Sequence, residues 1–584
     1  MKELSAEKRA LLAGVLAMAV ILVWNYFYKP PVPPKPSAPV TSPAGGSQPG
    51  ATPAAPSSVA AAAPAVSAAK AAKREETVVV ESPLYRVELS NRGAVVRSWL
   101  LKKYTDDNKP PRTLDLVRPD APQAGGWPLS ILLDDAQLEA TANSAPFEWS
   151  PVGAPSCPAE KPGPESAAAA SPTGNTFSAP AELCFQWSDG HLDVSKRLKF
   201  DGTYVAQLTT SVMLDGKPLA HGLTWTGGFG DATVEVPAEQ VFFSAAGKLQ
   251  QLPYKKLGAP NQPALRQHQG STFDYAGIED RYFAAAFLPA KTGSLAVWQW
   301  ELARDTLKDG KPAKQPVAEV AVGTPAAGPL ALRIFVGPKD LDELKKITPP
   351  LSDLVQFGWL EFIAAPLFYT LRWLHVYIPN YGWAIIVMTL VINMLLFPLK
   401  AKSWRSMQKM QKLQPEMRAI QDRYKKYSLR DPRKQQMNQE IMALYQREGV
   451  NPMSGCLPML PQMPIWFGLY RMLAVTIELR HAPWIGWIHD LSVKDPYYIL
   501  PVLMGLTMYV MQKMTPTTTV DPAQQRMMML MPLMFAGMFI IIPTSSGLVL
   551  YILSSNVIGM IQQWYLNRHT PATVPARGKN AKKN

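Results

Sequence analysis

The residue with the clearest chemical meaning in this 584-residue sequence is an arginine inside an apolar segment. Arg471 lies in QMPIWFGLYRMLAVTIELR, which runs from Gln462 to Arg480 and, with the apolar residues before it, is long enough to cross a bilayer. A charge at membrane depth is costly and indicates a functional site. Arg471 either snorkels to the nearby polar end of the segment or leans inward, since helical side chains point toward the N-terminus.

The sequence lacks the motifs of common enzyme and metal sites. Its seven histidines show no HExxH pattern, and its three cysteines, Cys157, Cys184 and Cys456, form no CxxC or Cys/His cluster. No glycine-rich nucleotide-binding motif stands between a strand and a helix. We therefore predict a protein that is not an enzyme, with no catalytic residues, no metal and no cofactor.

Six apolar segments have the length of membrane spans. The first, ALLAGVLAMAVILVWNYFY, follows basic residues and precedes no small-residue cleavage site, which favours an uncleaved signal anchor over a cleaved signal peptide. The other five lie between residues 381 and 566. The segment before them contains Trp359, Trp373 and Tyr377 among apolar and charged residues, a pattern typical of an amphipathic helix in the membrane interface.

Lysine and arginine are concentrated in the loop 400–450 and in the tail 567–584. Because positive loops remain in the cytoplasm, six crossings place both termini there. Apolar residues recur in the loop at three- and four-residue steps, which predicts a helical hairpin. This hairpin either packs on itself in solvent or docks a partner or anionic lipid, and the two interpretations are compatible.

Residues 75–340 contain regularly spaced short runs of β-forming residues, which predict a β-sandwich outside the cytoplasm. Residues 151–180 inside it are of low complexity and are predicted to form a surface insertion. A periplasmic location would permit a disulfide between Cys157 and Cys184.

The predicted fold is therefore multi-domain, with an α-helical polytopic membrane core of six transmembrane helices and a periplasmic all-β sandwich. The predicted boundaries are 1–29 for the signal anchor, 30–74 for a Pro/Ala-rich linker, 75–340 for the β-sandwich, 341–380 for a linker helix and the interfacial helix, 381–566 for a five-span core with its cytoplasmic hairpin 400–450, and 567–584 for the basic tail.

Four long stretches of the helical region are distinctive: NPMSGCLPMLPQMPIWFGLYRML, ELRHAPWIGWIHDLSVKDPYYILP, MQKMTPTTTVDPAQQ and SSGLVLYILSSN. They resemble the YidC family of membrane protein insertases, of the Gram-negative type with a large periplasmic domain. The order of the segments is also similar. The resemblance is strong over residues 350–566 and looser in the periplasmic domain.

The resemblance implies a chaperone and insertase for new inner-membrane proteins, working alone or with the Sec translocon through a hydrophilic groove open to cytoplasm and lipid. The implied groove residues are Thr389, Asn393, Gln462, Arg471, Tyr551, Ile552, Ser555 and Asn556. Asn393 stands where the family commonly has an arginine, and Ile552 where a second tyrosine often follows Tyr551. We therefore predict that Arg471 supplies the missing charge.

The implied partners are nascent membrane proteins, the Sec translocon, the lipid bilayer and the ribosome, and no DNA. The predicted ribosome contacts are the basic residues of the tail, Arg568, Arg577, Lys579, Lys582 and Lys583. A secondary transporter or channel is the alternative, since it would also use polar residues inside spans. Against it, the sequence shows no inverted repeat and no set of intramembrane carboxylates.

Overall fold

The computed structural model describes residues 70–124, 126–154, 157, 174–231, 239–253, 267–268, 273–289, 296–308, 311–323, 326–427, 431–450, 459–515, 522–542 and 544–569. These residues form two compact units that divide between Val355 and Gln356. We call them the β unit and the helical unit. The predicted signal anchor and most of the predicted linker lie outside the described residues.

The β unit contains three mostly antiparallel sheets among its described residues. Strand β9 shows why they form, since alternate residues of LDVSKRLKF are buried, as a period of two requires. The sheets confirm the predicted β-sandwich. The strands are β1 Thr77–Glu81, β2 Tyr85–Ser90, β3 Val95–Thr105, β4 Thr113–Asp115, β5 Ile131–Leu132, β6 Glu148–Pro151, β7 Thr176–Ser178, β8 Ala181–Ser188, β9 Leu192–Phe200, β10 Val205–Leu214, β11 Lys217–Pro218, β12 Gly222–Trp225, β13 Gln240–Ala245, β14 Lys248–Pro253, β15 Gln267–His268, β16 Tyr275–Glu279, β17 Phe283–Pro289, β18 Ala296–Lys308, β19 Lys311–Gly323 and β20 Leu330–Pro338.

The strand orders are β4-β3-β2-β1-β7, then β14-β13-β16-β17-β20-β10-β9-β8-β6 with β11 beside β10, and β15-β18-β19-β12-β5. Strand β7 pairs in parallel with β1, so part of the segment predicted as an insertion belongs to a sheet. Cys157 forms the predicted disulfide with Cys184 of β8, with the Cα atoms 5.7 Å apart. The bond ties the segment that follows β6 to the sheet.

The β unit also contains two helices, α1 (Ala136–Ser144) and α2 (Leu341–Lys345). Helix α2 begins at Asp340, whose carboxylate accepts hydrogen bonds from the backbone N–H groups of Asp342 and Glu343. Leu344 is buried, and its carbonyl oxygen accepts a hydrogen bond from Leu351 N. The unit therefore continues past the predicted boundary at residue 340.

A buried lysine joins three segments of the β unit. Lys196 on β9 is 1% exposed, and its Nζ donates to the carbonyl oxygens of Gly93, Ala94 and Leu129 at 2.7, 3.0 and 2.8 Å. Ala94 and Leu129 have left-handed φ angles of 48° and 68°. Such strained turns persist only where the surroundings hold them, and here the ammonium satisfies carbonyl groups that would otherwise be buried without partners.

The helical unit contains α3 Glu361–Tyr377, α4 Tyr381–Lys412, α5 Gln414–Arg423, α6 Arg433–Arg447, α7 Met459–Val475, α8 Ile499–Met514, α9 Pro522–Ile541 and α10 Ser546–His569. In the described part of the chain, α4 is the one helix long and apolar enough to cross a membrane by itself. Helices α8 and α9 contain shorter apolar stretches. Helix α3 buries Phe368 and Leu371 and exposes Phe362, Trp373 and Tyr377 on its other face.

The predicted hairpin is present, but its apolar core begins inside α4, before that helix ends. Helix α4 runs without a break through Pro398 to Lys412, and α5 and α6 follow it. The hairpin packs around its own apolar core of Met410, Leu413, Met417, Ile420, Leu444, Tyr445 and Val450.

Helix α10 occupies the centre of the helical unit, because it packs against α4 on one side and α8 on the other and also touches α7. Helix α9 packs on α8, and α3 packs on α7 and α4. The approach of α8 to α9 is close at Gly505, where an added Cβ would lie 2.6 Å from the Cβ of Ala536. Small residues allow such approach between membrane helices, where dispersion contacts drive association.

We predict that Lys196→Met lowers the free energy of local opening around β9 by about 3 kcal/mol, because three buried carbonyl groups lose their donor. Hydrogen–deuterium exchange of the full-length protein in detergent measures this effect. Lys199→Met is the matched control, since Lys199 lies on the same strand with its side chain exposed. Equal exchange in the two variants would show that the turns do not depend on Lys196.

Candidate functional site

A group of buried polar side chains joins α4 to α10. Thr389 and Asn393 are fully buried, one helical turn apart on α4. Asn393 Nδ2 donates to Thr389 O at 2.8 Å and to Ser555 Oγ at 3.3 Å, and Gln562 Nε2 donates to Asn393 O at 3.1 Å. Asn393 lies about 18 Å along α4, at 1.5 Å per residue, and a helix must extend about 30 Å to cross the hydrocarbon core of a bilayer.

A lysine that the sequence analysis assigned to the loop reaches the same group. Lys400 Nζ donates to Asn393 Oδ1 at 2.6 Å. The two residues are about two helical turns apart and therefore share a face of α4. The seven-residue spacing between Asn393 and Lys400 is the sequence signal for this contact, whereas the prediction placed Lys400 among the basic residues of the loop that set orientation.

Helix α7 is linked to α10 by one hydrogen bond, at a position one helical turn before Ser555. Gln462 Nε2 donates to the Tyr551 hydroxyl at 3.0 Å, which links α7 to α10. Tyr551 and its neighbour Ile552 are buried. We call Thr389, Asn393, Lys400, Gln462, Tyr551, Ser555 and Gln562 the polar site.

Asn556 lies outside the polar site. Its Nδ2 donates to Thr507 Oγ1 of α8 at 3.3 Å, and Gln563 Nε2 donates to Thr515 Oγ1, next to the end of the same helix, at 3.1 Å. Consecutive helical residues point about 100° apart, so Ser555 faces α4 while Asn556 faces α8. Asn556 therefore contributes to helix packing and does not join the residues with which it was predicted to act.

Arg471 also lies elsewhere, which corrects the prediction that it charges the groove. Its side chain is exposed, its Nη2 is 3.5 Å from Gln356 O, and its guanidinium is the nearest group to Gly358. Arg471 follows Gln462 by nine residues, or about two and a half turns, and so projects from the opposite face of α7. The prediction rested on the lean of the side chain along the helix, but the direction of a side chain also depends on its rotation around the helix axis.

Two amide oxygens in the polar site have unused hydrogen-bonding capacity. Gln462 Oε1 and Gln562 Oε1 are buried without a hydrogen-bond partner among the described residues. A buried acceptor of this kind costs free energy and favours a donor that enters the site. The site thus offers carbonyl acceptors, hydroxyl groups and one ammonium to a polar chain segment or to water.

The predicted ribosome contacts lie mostly beyond the described residues. Arg568, in the last turn of α10, is exposed, and its guanidinium carbon lies 4.3 Å from the ring centre of Trp564. Arg577, Lys579, Lys582 and Lys583 fall outside the described part of the chain.

Two family models match the sequence. One, described as the YidC periplasmic domain, matches residues 77–370, and the other, described as the 60Kd inner membrane protein, matches residues 373–573. The first alone covers half of the chain.

The chain belongs to the YidC family.

Curated relatives match either most of the chain or about half of it. A membrane protein insertase YidC from Syntrophus aciditrophicus is 34% identical over 96% of this chain and 99% of its own. One from Cupriavidus taiwanensis is 43% identical over 50% of each chain. A solved structure described as an active YidC insertase with its first transmembrane domain resolved has 18% identity and a TM-score of 0.35, covering 86% of this chain and 96% of that one.

These matches confirm the predicted family. They also confirm that the chain is of the Gram-negative type, which has a large periplasmic domain. The chain is therefore an inner-membrane protein, and its β unit corresponds to the periplasmic domain of the family. The helical unit, which the second family model covers, contains every residue of the polar site.

We predict that the hydrogen bond between Gln462 and Tyr551 couples α7 to α10. A double-mutant cycle of Gln462→Leu and Tyr551→Phe, measured by unfolding in detergent micelles, should give a coupling energy of about 0.6 kcal/mol, the average for such bonds in membranes. A cycle of Tyr551→Phe with Thr507→Val is the control and should be additive, because Thr507 bonds Asn556. If the effects of Gln462→Leu and Tyr551→Phe on the free energy of unfolding were additive, this hydrogen bond would not couple α7 to α10.

Proposed function

We propose that this chain inserts newly made proteins into the inner membrane and assists their folding, and that the polar site receives polar parts of the substrate. The observation that carries this proposal is the set of buried and partly buried polar groups shared by α4, α7 and α10. A polar segment that crosses a bilayer loses its hydrogen bonds to water, at a cost of several kcal/mol for each unsatisfied group. Acceptors and donors at membrane depth reduce that cost.

The apolar parts of a substrate need a different surface. Helices α7 and α9 expose large apolar side chains, among them Phe467 and Tyr470 on α7 and Leu530, Met531 and Met534 on α9. Methionine side chains are flexible and polarisable, which suits a surface that contacts many sequences. In the proposed reaction the apolar segment passes along these helices into lipid while the polar segment occupies the polar site.

The proposed topology has six spans, both termini in the cytoplasm and the β unit in the periplasm. The basic hairpin and tail support this orientation through the positive-inside rule. Helix α4 then enters the membrane at Tyr381 and leaves it in the cytoplasm before the hairpin. Helix α3, with exposed Phe362, Trp373 and Tyr377, is proposed to lie in the periplasmic interface.

A secondary transporter or channel is not supported as the function, because the chain belongs to a family of insertases. In the polar site itself, moreover, the residues named above include no carboxylate to couple an ion gradient.

We expect that depletion of this protein leaves a small two-span substrate uninserted, so that its periplasmic loop is not cleaved by external protease. Re-expression of the wild-type chain should restore cleavage, and a substrate with an independent insertion route is the control. Depletion of a solute transporter would instead abolish a solute flux and leave insertion of this substrate unchanged. Normal insertion in depleted cells would overturn the proposed function.

We further propose that the basic tail and the hairpin contact the translating ribosome and that the protein works alone or beside the Sec translocon. Ribosomal RNA is a dense array of phosphates, and contacts with it release counterions. The exposed Arg568 and the lysines and arginine beyond it supply the positive charge.

Replacement of Arg568, Arg577, Lys579, Lys582 and Lys583 by Gln should weaken co-sedimentation with ribosomes and reduce its dependence on salt, because fewer counterions are released. The matched control exchanges the same residues between Lys and Arg, which keeps both length and charge. Sedimentation that is equal for the two variants at every salt concentration would argue against this contact.

A further inference from the structure

Arg471 carries a positive charge that the polar site does not use. Its side chain is exposed, and its Nη2 lies 3.5 Å from Gln356 O. Among the described residues, no carboxylate lies within salt-bridge distance of this guanidinium. A guanidinium has five N–H donors and stays charged at every physiological pH. Most of these donors are therefore left for a ligand from outside the helical unit.

The side of α7 around Arg471 is apolar and exposed. Met463, Phe467 and Tyr470 expose large apolar side chains, and their spacing of four and three residues places them on one side of the helix. Arg471 follows Phe467 by four residues, so it lies one turn further along that side, about 6 Å before the end of α7 at Val475. An exposed apolar side of this kind in an inner-membrane protein contacts lipid. Arg471 therefore ends a lipid-facing surface.

Helix α3 marks the height of Arg471 in the membrane. Gly468, one turn before Arg471, packs on α3, since an added Cβ would lie 3.0 Å from Cγ2 of Ile363. Arg471 itself lies against Gly358, in the turn that leads into α3. The exposed aromatic side chains of α3 are of the kind that lies where hydrocarbon meets the headgroups. In the proposed topology Arg471 therefore lies at the headgroups of the periplasmic leaflet.

We propose that Arg471 binds the phosphate of a phospholipid in the periplasmic leaflet. This inference rests on the proposed topology and is independent of the proposed insertion activity. A phosphate diester carries one negative charge, and a guanidinium contacts two of its oxygens through parallel hydrogen bonds. The acyl chains of the same lipid then extend along the side of α7 that exposes Phe467 and Met463. Charge and apolar surface thus match the two parts of one lipid.

The turn before α3 gives the guanidinium its place. Gly358 has a left-handed φ of 77°, and an added Cβ would lie 3.4 Å from Nε of Arg471, so a larger residue would be strained and would crowd the arginine. The contact with Gln356 O holds one edge of the guanidinium at this turn and leaves its other donors for the phosphate. The bound lipid consequently holds the start of α3 at the level of the headgroups.

The test uses full-length protein in liposomes of phosphatidylethanolamine and phosphatidylglycerol that contain phosphatidylethanolamine with a photoreactive diazirine on its headgroup. Peptide mapping should find the label on residues 356–361, and Arg471→Gln should reduce this labelling about tenfold, the effect of losing one charge-assisted contact. Arg471→Lys should retain part of it, because lysine keeps the charge and lacks the planar fork. Lys494→Gln is the matched control, since Lys494 is exposed in the connection between α7 and α8.

A second lipid, with the diazirine at the end of an acyl chain, verifies that each variant is folded and faces lipid. It should label the peptide that contains Phe467 equally in the wild type and in Arg471→Gln. Equal headgroup labelling of these two proteins would overturn the inference, and so would labelling of residues 356–361 by the acyl-chain probe in place of the headgroup probe.

The other possible ligand is an acidic segment of a substrate. If Arg471→Gln impaired insertion of a two-span substrate bearing Asp residues but not of the same substrate bearing Asn, and left headgroup labelling unchanged, the arginine would bind substrate and the inference would be wrong. Labelling requires no substrate, so the two proposals fail separately. Absence of insertion by the wild-type chain, with labelling as expected, would overturn the proposed function and support the lipid site.

Discussion

The hydrogen bonds of Asn393 are the interaction on which the helical unit depends most. This one side chain, fully buried on α4, contacts its own helix through Thr389, helix α10 through Ser555, and the only cation of the polar site through Lys400. Its backbone carbonyl receives a further bond from Gln562. In lipid, polar groups have no water to bind, so these partners must come from the protein. The position of Asn393 thereby determines both the packing of α4 on α10 and the location of the charge.

Helix α10 makes polar contacts with three neighbouring helices. Ser555 and Gln562 bond α4, Tyr551 bonds Gln462 of α7, and Asn556 bonds Thr507 of α8. Hydrophobic burial does not drive helices together in a bilayer, so such bonds and close packing specify which helices are neighbours. The same side chains that hold the bundle together also produce a polar surface inside it. In the proposed function, one set of residues therefore serves both helix packing and substrate binding.

The sequence was sufficient to predict features that depend on local pattern. The β-sandwich followed from alternation such as that of β9, the hairpin from apolar steps of three and four residues, and the pairing of Cys157 with Cys184 from the expected compartment. Features that depend on rotation around a helix were missed. Lys400 lies in the polar site because it follows Asn393 by seven residues, and residues seven apart share a face of a helix. Arg471 lies outside the site because it follows Gln462 by nine residues, and residues nine apart lie on opposite faces. The end of the β unit was predicted too early in the sequence. Helix α2 is short, and it is attached to the unit by tertiary contacts, which a local sequence pattern does not reveal.

The continuity of α4 has a mechanical consequence. One helix of 32 residues, about 48 Å long at 1.5 Å per residue, carries Asn393 and Lys400 near its middle and the start of the hairpin at its end. Pro398 lies between the two polar residues and removes one backbone hydrogen bond there, which makes this turn the most easily bent. The part of α4 that follows Pro398 carries both Lys400 and the start of the hairpin, so a bend at this turn would move the lysine and the hairpin together relative to Asn393.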